Sequence, residues 1–261
     1  MESVKANPSQ LPSDGGPFAI PDFPHRITMC ARPPKGSIDF MGLGIEVKSV
    51  GLVVNNFAEL DGEEYIEHYE KTTGHRAWHV GPACLAPRSG EERAEKSAVS
   101  ENEFVTWLDS QPPESVVYIC FGSLCHFPDK QLYEIACGLE QAGHAFIWVI
   151  PEKKGEEREK EEEKKKWLTK GFKERNKEKG MVIRGWTPQL WGDQFYNEKL
   201  VCEMRGIGVE VGATEWTLIG YGEREKLVPR DCNERAVRRL MDGGDEAHNI
   251  RRRAKRVWRK G

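Results

Sequence analysis

The sequence contains no run of about 18 apolar residues, the length that a helix needs to span a bilayer. Its first ten residues lack the apolar core of a secretory signal. Seven cysteines are present, but their number is odd, their spacing is irregular and no Cys-x-x-Cys occurs. This pattern argues against a disulfide framework and a zinc site, and it favours free thiols in a reducing compartment. We therefore predict a cytoplasmic protein without a membrane partner.

An excess of charge of one sign is also lacking. The 39 Lys and Arg residues nearly balance 42 Asp and Glu residues, which leaves a net charge of −3. Such a balance is typical neither of a polyanion-binding protein nor of a strongly acidic one. With 261 residues, of which 31% are charged, the chain suits one large domain or two small ones and is hydrophilic for a compact enzyme.

Metal ligands and nucleophilic pairs are scarce. His75 and His79 are four residues apart, but Gly74 argues against the helix that would place both on one face. His126 follows Ser123 closely, yet no third group is identified that would orient it as a base. We therefore predict no metal site and interpret His126 as a loop residue.

The most regular pattern lies in the middle of the chain, where apolar runs alternate with amphipathic segments. Strand, helix, strand, helix and strand at these lengths are typical of a parallel sheet covered by helices. The predicted strands are Val116–Phe121, Ala145–Ile150 and Met181–Arg184, and the predicted helices are Asp129–Gln141 and Trp167–Lys177. The core-facing positions of the first of these helices are Leu132, Ile135, Ala136 and Leu139.

The flanking regions are less regular. Residues 1–36 are rich in Pro, Gly and Ser and predict loop, residues 83–101 predict an interdomain linker, and residues 152–166 predict a solvated charged helix. Further predicted strands are Gly51–Phe57, Trp78–Pro82 and Ile207–Val211. Further predicted helices are Glu59–Lys71, which Gly74 ends, Phe104–Leu108, Gln194–Met204, Asn233–Met241 and Glu246–Arg259.

Polar and aromatic residues follow two of the predicted parallel strands. Ser123 comes after the strand that ends at Phe121, where open α/β sheets bind ligands. Trp186 follows the strand that ends near Arg184 and offers a flat face on which a base could stack. Gln189 can hydrogen-bond the paired hydroxyls of a ribose. A second polar pair, Asp193 and Gln194, can bind sugar hydroxyls.

Trp186-Thr187-Pro188-Gln189 and Asp193-Gln194 resemble the opening and the close of the signature box of the plant secondary-product UDP-glycosyltransferases, family 1 with a GT-B fold. The resemblance extends to the segment Pro17–Ile27 and, almost continuously, to Trp167–Gln189, Phe195–Val211 and Glu215–Leu227. It implies an α/β remnant of two Rossmann-like domains with an incomplete C-terminal parallel sheet. The implied parts are an acceptor-domain remnant at 1–82, a linker at 83–101 and a UDP-sugar-binding domain at 102–261.

The resemblance implies that Ser123, Trp186, Gln189, Asp193 and Gln194 bind a UDP-sugar. The family transfers the sugar to a hydroxyl of a small lipophilic plant metabolite, without a metal or other cofactor. The Gln that closes the box implies that the sugar is glucose.

Several parts of the family pattern are missing. Only Leu190, Trp191 and Gly192 separate the two ends of the box, and the family's diphosphate-binding His-Cys-Gly-Trp-Asn-Ser run occurs nowhere. No residue matches the family's catalytic His and Asp, so we assign no catalytic residue. The sequence therefore predicts a chain truncated at the N-terminus, within the box and at the C-terminus, with little or no activity. The alternatives are a non-catalytic remnant that binds uridine weakly or binds intact relatives, and a gene model that lacks coding segments.

Seven Lys and Arg residues lie between positions 251 and 260. Such a run can bind nucleic acid. The other interpretation, which we favour, is a charged helix that packs Ile250, Ala254 and Val257 on one side. Nucleic acid is accordingly not predicted as a partner.

Overall fold

The computed structural model describes residues 18–19, 24–26, 28–29, 50–81, 101–121, 127–150, 168–184, 198–213 and 227–259. Near the start of the chain, β1 (Phe18–Ala19) pairs antiparallel with β2 (Thr28–Met29). The sequence predicted only loop there, because two residues per strand are too few to produce a strand period. The predicted linker at 83–101 lies outside the described residues except for position 101, and the predicted charged helix at 152–166 lies outside them entirely. The predicted domain boundaries stay predictions.

A second small sheet is built from β3 (Gly51–Val54) and β4 (Arg76–His79), which pair in parallel. Two helices connect them, α1 (Ala58–Asp61) and α2 (Glu63–Thr73), where the sequence predicted one. Gly62 separates the helices because its φ of 101° lies outside the helical region. Gly74 ends α2 in the left-handed conformation, with a φ of 72°, and this part of the prediction is confirmed.

The third sheet contains three parallel strands in the order β5–β6–β7, which confirms the predicted parallel sheet. Helices lie before and between the strands, as in other α/β sheets. In chain order the elements are α3 (Glu101–Asp109), β5 (Val116–Cys120), α4 (Asp129–Ala142), β6 (Ala145–Ile150), α5 (Phe172–Arg175) and β7 (Gly180–Arg184).

The core lies on both faces of this sheet. Phe146 and Trp148 of β6 are fully buried against α4 and Phe172. The opposite face of β6 packs on β7 and on the apolar side of α3. Complete burial of an aromatic or aliphatic side chain contributes about 1.5–3 kcal/mol, so the central strand holds the sheet together. The predicted core face of α4, with Leu132, Ile135, Ala136 and Leu139, is buried as expected.

Two further predicted elements differ from the structure. The helix predicted at Trp167–Lys177 is a single turn, because Gly171 has a φ of 76° and the chain turns again after Arg175. The strand predicted at Ile207–Val211 is wrong. Gly206 and Gly212 have φ values of 58° and 81°, so the intervening apolar residues are bounded by left-handed positions and join no described strand.

The C-terminal region begins with a π-helical turn, Leu200–Met204, followed by α6 (Arg230–Met241) and α7 (Asp245–Trp258). Helix α6 packs on α4 at close range, since a Cβ added at Gly138 would lie 2.6 Å from the Cβ of Asn233. Helix α7 buries Ile250, as the sequence predicted for that side of the helix. Within the described part of the chain, none of the helices has the length and apolarity needed to cross a membrane.

Candidate functional site

Parallel strands place their carboxyl ends at one edge of the sheet, and β5, β6 and β7 end there at Cys120, Ile150 and Arg184. Neighbouring strands lie about 4.8 Å apart, so the segments that leave β5 and β7 do so about 10 Å from each other. Ser123 lies three residues beyond the first strand, and Trp186 lies two residues beyond the last. The described strands therefore direct the two predicted ligand-binding segments to a common edge.

The predicted site residues themselves lie outside the described residues. These are Ser123, Trp186, Gln189, Asp193 and Gln194. The structure neither brings them together nor separates them, and their roles stay predictions. His126 lies outside the described residues as well.

Two aromatic rings hold the ends of the segment that carries Ser123. Phe121 and Phe127 pack edge to face, with ring centroids 4.7 Å apart and an interplanar angle of 81°. Both rings also pack against the core between β6 and α4. Aromatic pairs of this geometry add about 0.5–1.5 kcal/mol beyond their buried area. The five residues between them therefore begin and end at fixed points of the sheet edge.

The segment 198–211 is held together by polar contacts among its own residues. Lys199 Nζ lies 2.6 Å from Glu203 Oε1 and 3.3 Å from Glu210 Oε1. Burial raises the pKa of the Glu198 carboxyl, which accepts a hydrogen bond from the backbone of Val211. These contacts fix the chain just beyond the second predicted polar pair.

The half-buried thiol of Cys202 is not a nucleophile at neutral pH. Burial, followed by the charge of Glu198, raises the pKa of Cys202 to about 11. Only a thiolate attacks or binds a metal with useful affinity. Among the described residues, Cys137, Cys202 and Cys232 carry no disulfide.

Arg205 connects this region to the small sheet that contains β3 and β4. Its Nε donates to the carbonyl of Leu60 at 2.7 Å, and its Nη2 donates to the carbonyl of Asp61 at 2.5 Å. Both carbonyls lie at the end of α1, where helical acceptors have no partner within the helix. Sequence analysis missed this residue, because a contact across 145 positions has no local pattern.

His79 is a half-buried partner of a carboxylate. Its Nε2 lies 2.9 Å from Asp61 Oδ2, and Asn56 Nδ2 donates to the other oxygen at 2.6 Å. His79 lies in β4 and His75 precedes that strand, so the two do not share a helical face. No group of three or more metal-binding side chains is found in the described ranges.

Two open grooves, of about 490 and 500 Å³, lie along α6 and α7. Both are lined mostly by charged residues.

A three-stranded parallel sheet covered by helices on both faces, together with a second parallel strand pair, defines an α/β protein of the GT-B type. Solved structures agree. UGT73P12 of Glycyrrhiza uralensis, complexed with glycyrrhetinic acid 3-O-monoglucuronide, superposes with a TM-score of 0.79 at 30% identity, covering 98% of this chain and 60% of that one. TcCGT1 in complex with UDP has the same fold, with a TM-score of 0.67 at 23% identity over 98% of this chain and 64% of that one.

Curated relatives come from the family that the signature box resembles. UDP-glucosyl transferase 73CC6 of Saponaria officinalis is 40% identical over 270 residues, or 87% of this chain and 54% of that protein. UDP-glucose flavonoid 3-O-glucosyltransferase 7 of Fragaria ananassa is 38% identical over 301 residues, covering 95% and 60% of the two proteins. No protein-family profile matches. These relatives are plant family 1 UDP-glycosyltransferases, the family that the signature box resembles, and this chain spans a little over half of their length.

The alignments also bear on the interior of the chain. The match to the Fragaria ananassa protein extends over 301 positions, which is more than the 261 residues of this chain. Some aligned positions must therefore have no residue here. This agrees with a chain that is shorter than its relatives within the matched region.

Proposed function

We propose that this chain is a UDP-glycosyltransferase remnant that keeps part of the UDP-sugar site and transfers sugar slowly or not at all. The proposal rests on its similarity to UDP-glucosyltransferases over 87–95% of its own length but 54–60% of theirs. In this proposal Trp186 stacks on the uracil and Gln189 binds the ribose hydroxyls. Ser123 contacts the diphosphate, and Asp193 and Gln194 bind the sugar. The donor is a UDP-sugar, with glucose expected, and no metal takes part.

Chain length limits how the two polar pairs can be arranged. Gln189 and Asp193 are separated by three residues, so their Cα atoms can lie at most about 14 Å apart. Helix amino ends and polar side chains would normally stabilise the charge that develops on a leaving diphosphate. No such segment fits in three residues.

The acceptor class follows only from the relatives. Their names include a flavonoid 3-O-glucosyltransferase, a scopoletin glucosyltransferase and an anthocyanin 3′-O-β-glucosyltransferase. These acceptors share a phenolic or enolic hydroxyl on a flat ring system. We therefore propose a small hydroxylated plant metabolite as the acceptor class.

Binding of UDP tests the first half of the proposal. Isothermal titration calorimetry of the whole chain is expected to give weak binding, with a Kd near 1 mM, which corresponds to about −4 kcal/mol. Trp186→Leu should abolish it, because the stacking face is lost. Trp258→Leu is the matched control, since Trp258 is an exposed residue of α7. Equal binding by Trp186→Leu and the parent chain would contradict the assigned role of Trp186.

Turnover tests the second half. Enzymes ordinarily reach a kcat of about 10 s⁻¹, and we expect this chain to remain at least about 10³-fold slower with UDP-glucose and a flavonol. The measurement is product formation by liquid chromatography over hours at high protein concentration. Ordinary rates would refute the loss of activity and leave the family assignment intact.

A second candidate function is association with an intact relative. It is favoured by apolar side chains that are exposed around β3 and β4, namely Val53, Trp78 and Val80. Patches of this kind often mark protein interfaces. Size-exclusion chromatography of a mixture with a full-length UDP-glycosyltransferase should give a joint peak that Trp78→Gln removes. Separate elution of the two proteins would exclude this function.

A further inference from the structure

Helix α7 carries a stripe of cations along the side that faces away from the core. The positions recur at spacings of three and four, so they share one face of the helix. Residues 247–259 include six Lys and Arg residues and no Asp or Glu. The stripe extends over about 12 Å at 1.5 Å per residue. Its members are Arg251, Arg252, Lys255, Arg256 and Arg259.

The stripe forms one wall of an open groove of about 500 Å³, and Glu114 lies on the other side. Glu114 belongs to the turn before β5, at the amino end of the strand. The predicted UDP-sugar residues follow the carboxyl ends of β5 and β7. Because β5 is five residues long, the groove lies about 13 Å or more from that edge. An occupant of the groove is therefore independent of the proposed UDP-sugar site.

Glu114 shows what kind of group the stripe accepts. Its carboxylate forms an ion pair with Lys255 Nζ, and this hydrogen bond lowers the pKa of Glu114. Glu114 has a φ of 60°, the one positive value among the described non-glycine residues. Ser115 Oγ braces the turn by donating to the carbonyl of Pro112 at 2.6 Å. Among the residues described as lining the groove, Glu114 is the only acid, so one carboxylate faces five cations.

The other contacts of the stripe leave most of its donors available. Arg251 Nη1 donates to the carbonyl of Leu240 at 2.6 Å, and Arg252 Nη2 donates to Asn249 Oδ1 at 2.7 Å. Each guanidinium has five N–H groups, and these bonds use one of them. Arg256 and Arg259 are exposed. The groove can therefore bind several anionic groups along its length.

An exposed aromatic ring borders the stripe. Trp258 follows Lys255 by three residues and Arg251 by seven, so it lies beside them on the helix surface. Its side chain is 61% exposed. A cationic groove that follows a phosphate chain, with an aromatic ring on which a base can stack, is the arrangement that proteins use to bind single strands.

We propose that this groove binds the phosphate backbone of a single-stranded nucleic acid, with one base stacked on Trp258. Several cations spread over a little more than two helical turns fit a chain of phosphates better than an isolated phosphate. A membrane surface fits less well, because an interfacial helix needs a broad apolar face next to its cations. Here the apolar face of α7, including Ala247 and Ile250, is buried against the protein.

The first test measures affinity against salt. The full chain is titrated into a fluorescein-labelled single-stranded RNA of about ten nucleotides, and anisotropy is recorded between about 50 and 200 mM salt. Contact with four phosphates predicts a slope of log K against log salt of about −3, since each contributes about −0.7. A slope shallower than about −1 would overturn the proposal.

Charge variants test whether the RNA binds in this groove. Arg256→Gln with Arg259→Gln should lower the affinity at least tenfold and make the slope shallower by about 1.4. The matched control is Arg235→Gln with Arg238→Gln, which removes the same charge from exposed positions three residues apart on α6. Equal effects of the two pairs would mean nonspecific attraction and would overturn the proposal. UDP binding by the Arg256/Arg259 variant should be unchanged, which separates this inference from the proposed transferase site.

Trp258→Leu tests the base contact. It should weaken RNA binding about tenfold while leaving the salt slope unchanged, because stacking releases no counterions. Tripolyphosphate and phosphatidylserine vesicles serve as competing anions. Equal competition by tripolyphosphate at equal phosphate concentration, or binding to vesicles without binding to RNA, would overturn the proposal in favour of those ligands.

Discussion

At the scale of single residues, Gln131 joins two parts of the chain that are nearly 100 positions apart. Its Nε2 donates to the carbonyl of Val228 at 3.0 Å, and its Oε1 accepts from the amide of the same residue at 2.8 Å. The side chain is 1% exposed. The side-chain amide of Gln131 thus pairs with both backbone polar groups of Val228, as a residue of a neighbouring strand would.

We expect Gln131→Leu to lower the free energy of unfolding by about 1–3 kcal/mol, because it leaves the buried N–H of Val228 without a partner. The carbonyl of Val228 keeps one donor, Asn233 Nδ2, at 3.3 Å. Urea denaturation followed by circular dichroism measures this. Gln141→Leu is the control, since Gln141 is exposed on the same helix. A similar decrease in the free energy of unfolding in both variants would show that the hydrogen bonds of Gln131 do not stabilise the fold.

At the scale of elements, the contact between α4 and α6 combines close packing with an ion pair. Gly138 lets the backbone of Arg230 approach, since an added Cβ would lie 2.7 Å from its carbonyl oxygen. Arg230 Nη2 lies 2.7 Å from Glu134 Oε1, and the backbone amide of Arg230 donates to Glu134 Oε2 at 2.7 Å. This side-chain pairing lowers the pKa of Glu134.

The lowered pKa predicts acid sensitivity of the docked helices. A carboxyl whose pKa is lower in the folded state contributes stability above its unfolded pKa of about 4.3. That contribution is lost as the pH falls through the folded value. The free energy of unfolding should therefore fall on acidification below about pH 4.5. Glu134→Gln should reduce this dependence, and Glu178→Gln, at an exposed position, should not. Identical pH profiles of the parent chain and Glu134→Gln would contradict the prediction.

At the scale of the whole molecule, one arginine ties the small β3–β4 sheet to the C-terminal region. Arg205 bonds the end of α1, and the next residue, Gly206, accepts a hydrogen bond from Arg253 Nε at 2.6 Å. Three distant parts of the sequence therefore meet at two adjacent residues. A Cβ on Gly62 would lie 2.1 Å from Arg205 Nη2. Glycine at that position therefore makes room for Arg205, and it also adopts the positive φ that the turn needs.

Arg205→Gln should loosen residues 50–81 selectively. Hydrogen bonds from a charged donor contribute about 1.5–3 kcal/mol each, so amide exchange in α1 and α2 should accelerate at least tenfold while β6 remains protected. Hydrogen–deuterium exchange with mass spectrometry resolves the two regions. Arg235→Gln removes a charge at an exposed site and should leave both regions unchanged. Equal acceleration in β6 would indicate global destabilisation rather than the loss of a local tie.

The structure matches the prediction best for elements whose conformation is set by residues close together in the sequence. Ala145–Ile150 and the helix that begins at Asp129 were predicted nearly to the residue, because apolar periodicity and turn residues lie within a few positions. The five UDP-sugar residues were predicted from a family motif and lie outside the described residues, so their arrangement stays a prediction. The extra cations of α7 were visible in the sequence, but the acid that faces them was not.

The sequence by itself determined the α/β class, the three central strands, the core face of α4 and the relationship to the UDP-glycosyltransferases. Each of these depends on neighbouring residues or on a short motif. Only the tertiary structure decided that Ile207–Val211 is not a strand, that Gly62 divides a helix and that His79 pairs with Asp61. It also decided the contacts of Gln131 and Arg205. The physical reason is that a strand needs a partner strand and a buried polar group needs a distant acceptor, and neither is encoded by adjacent residues.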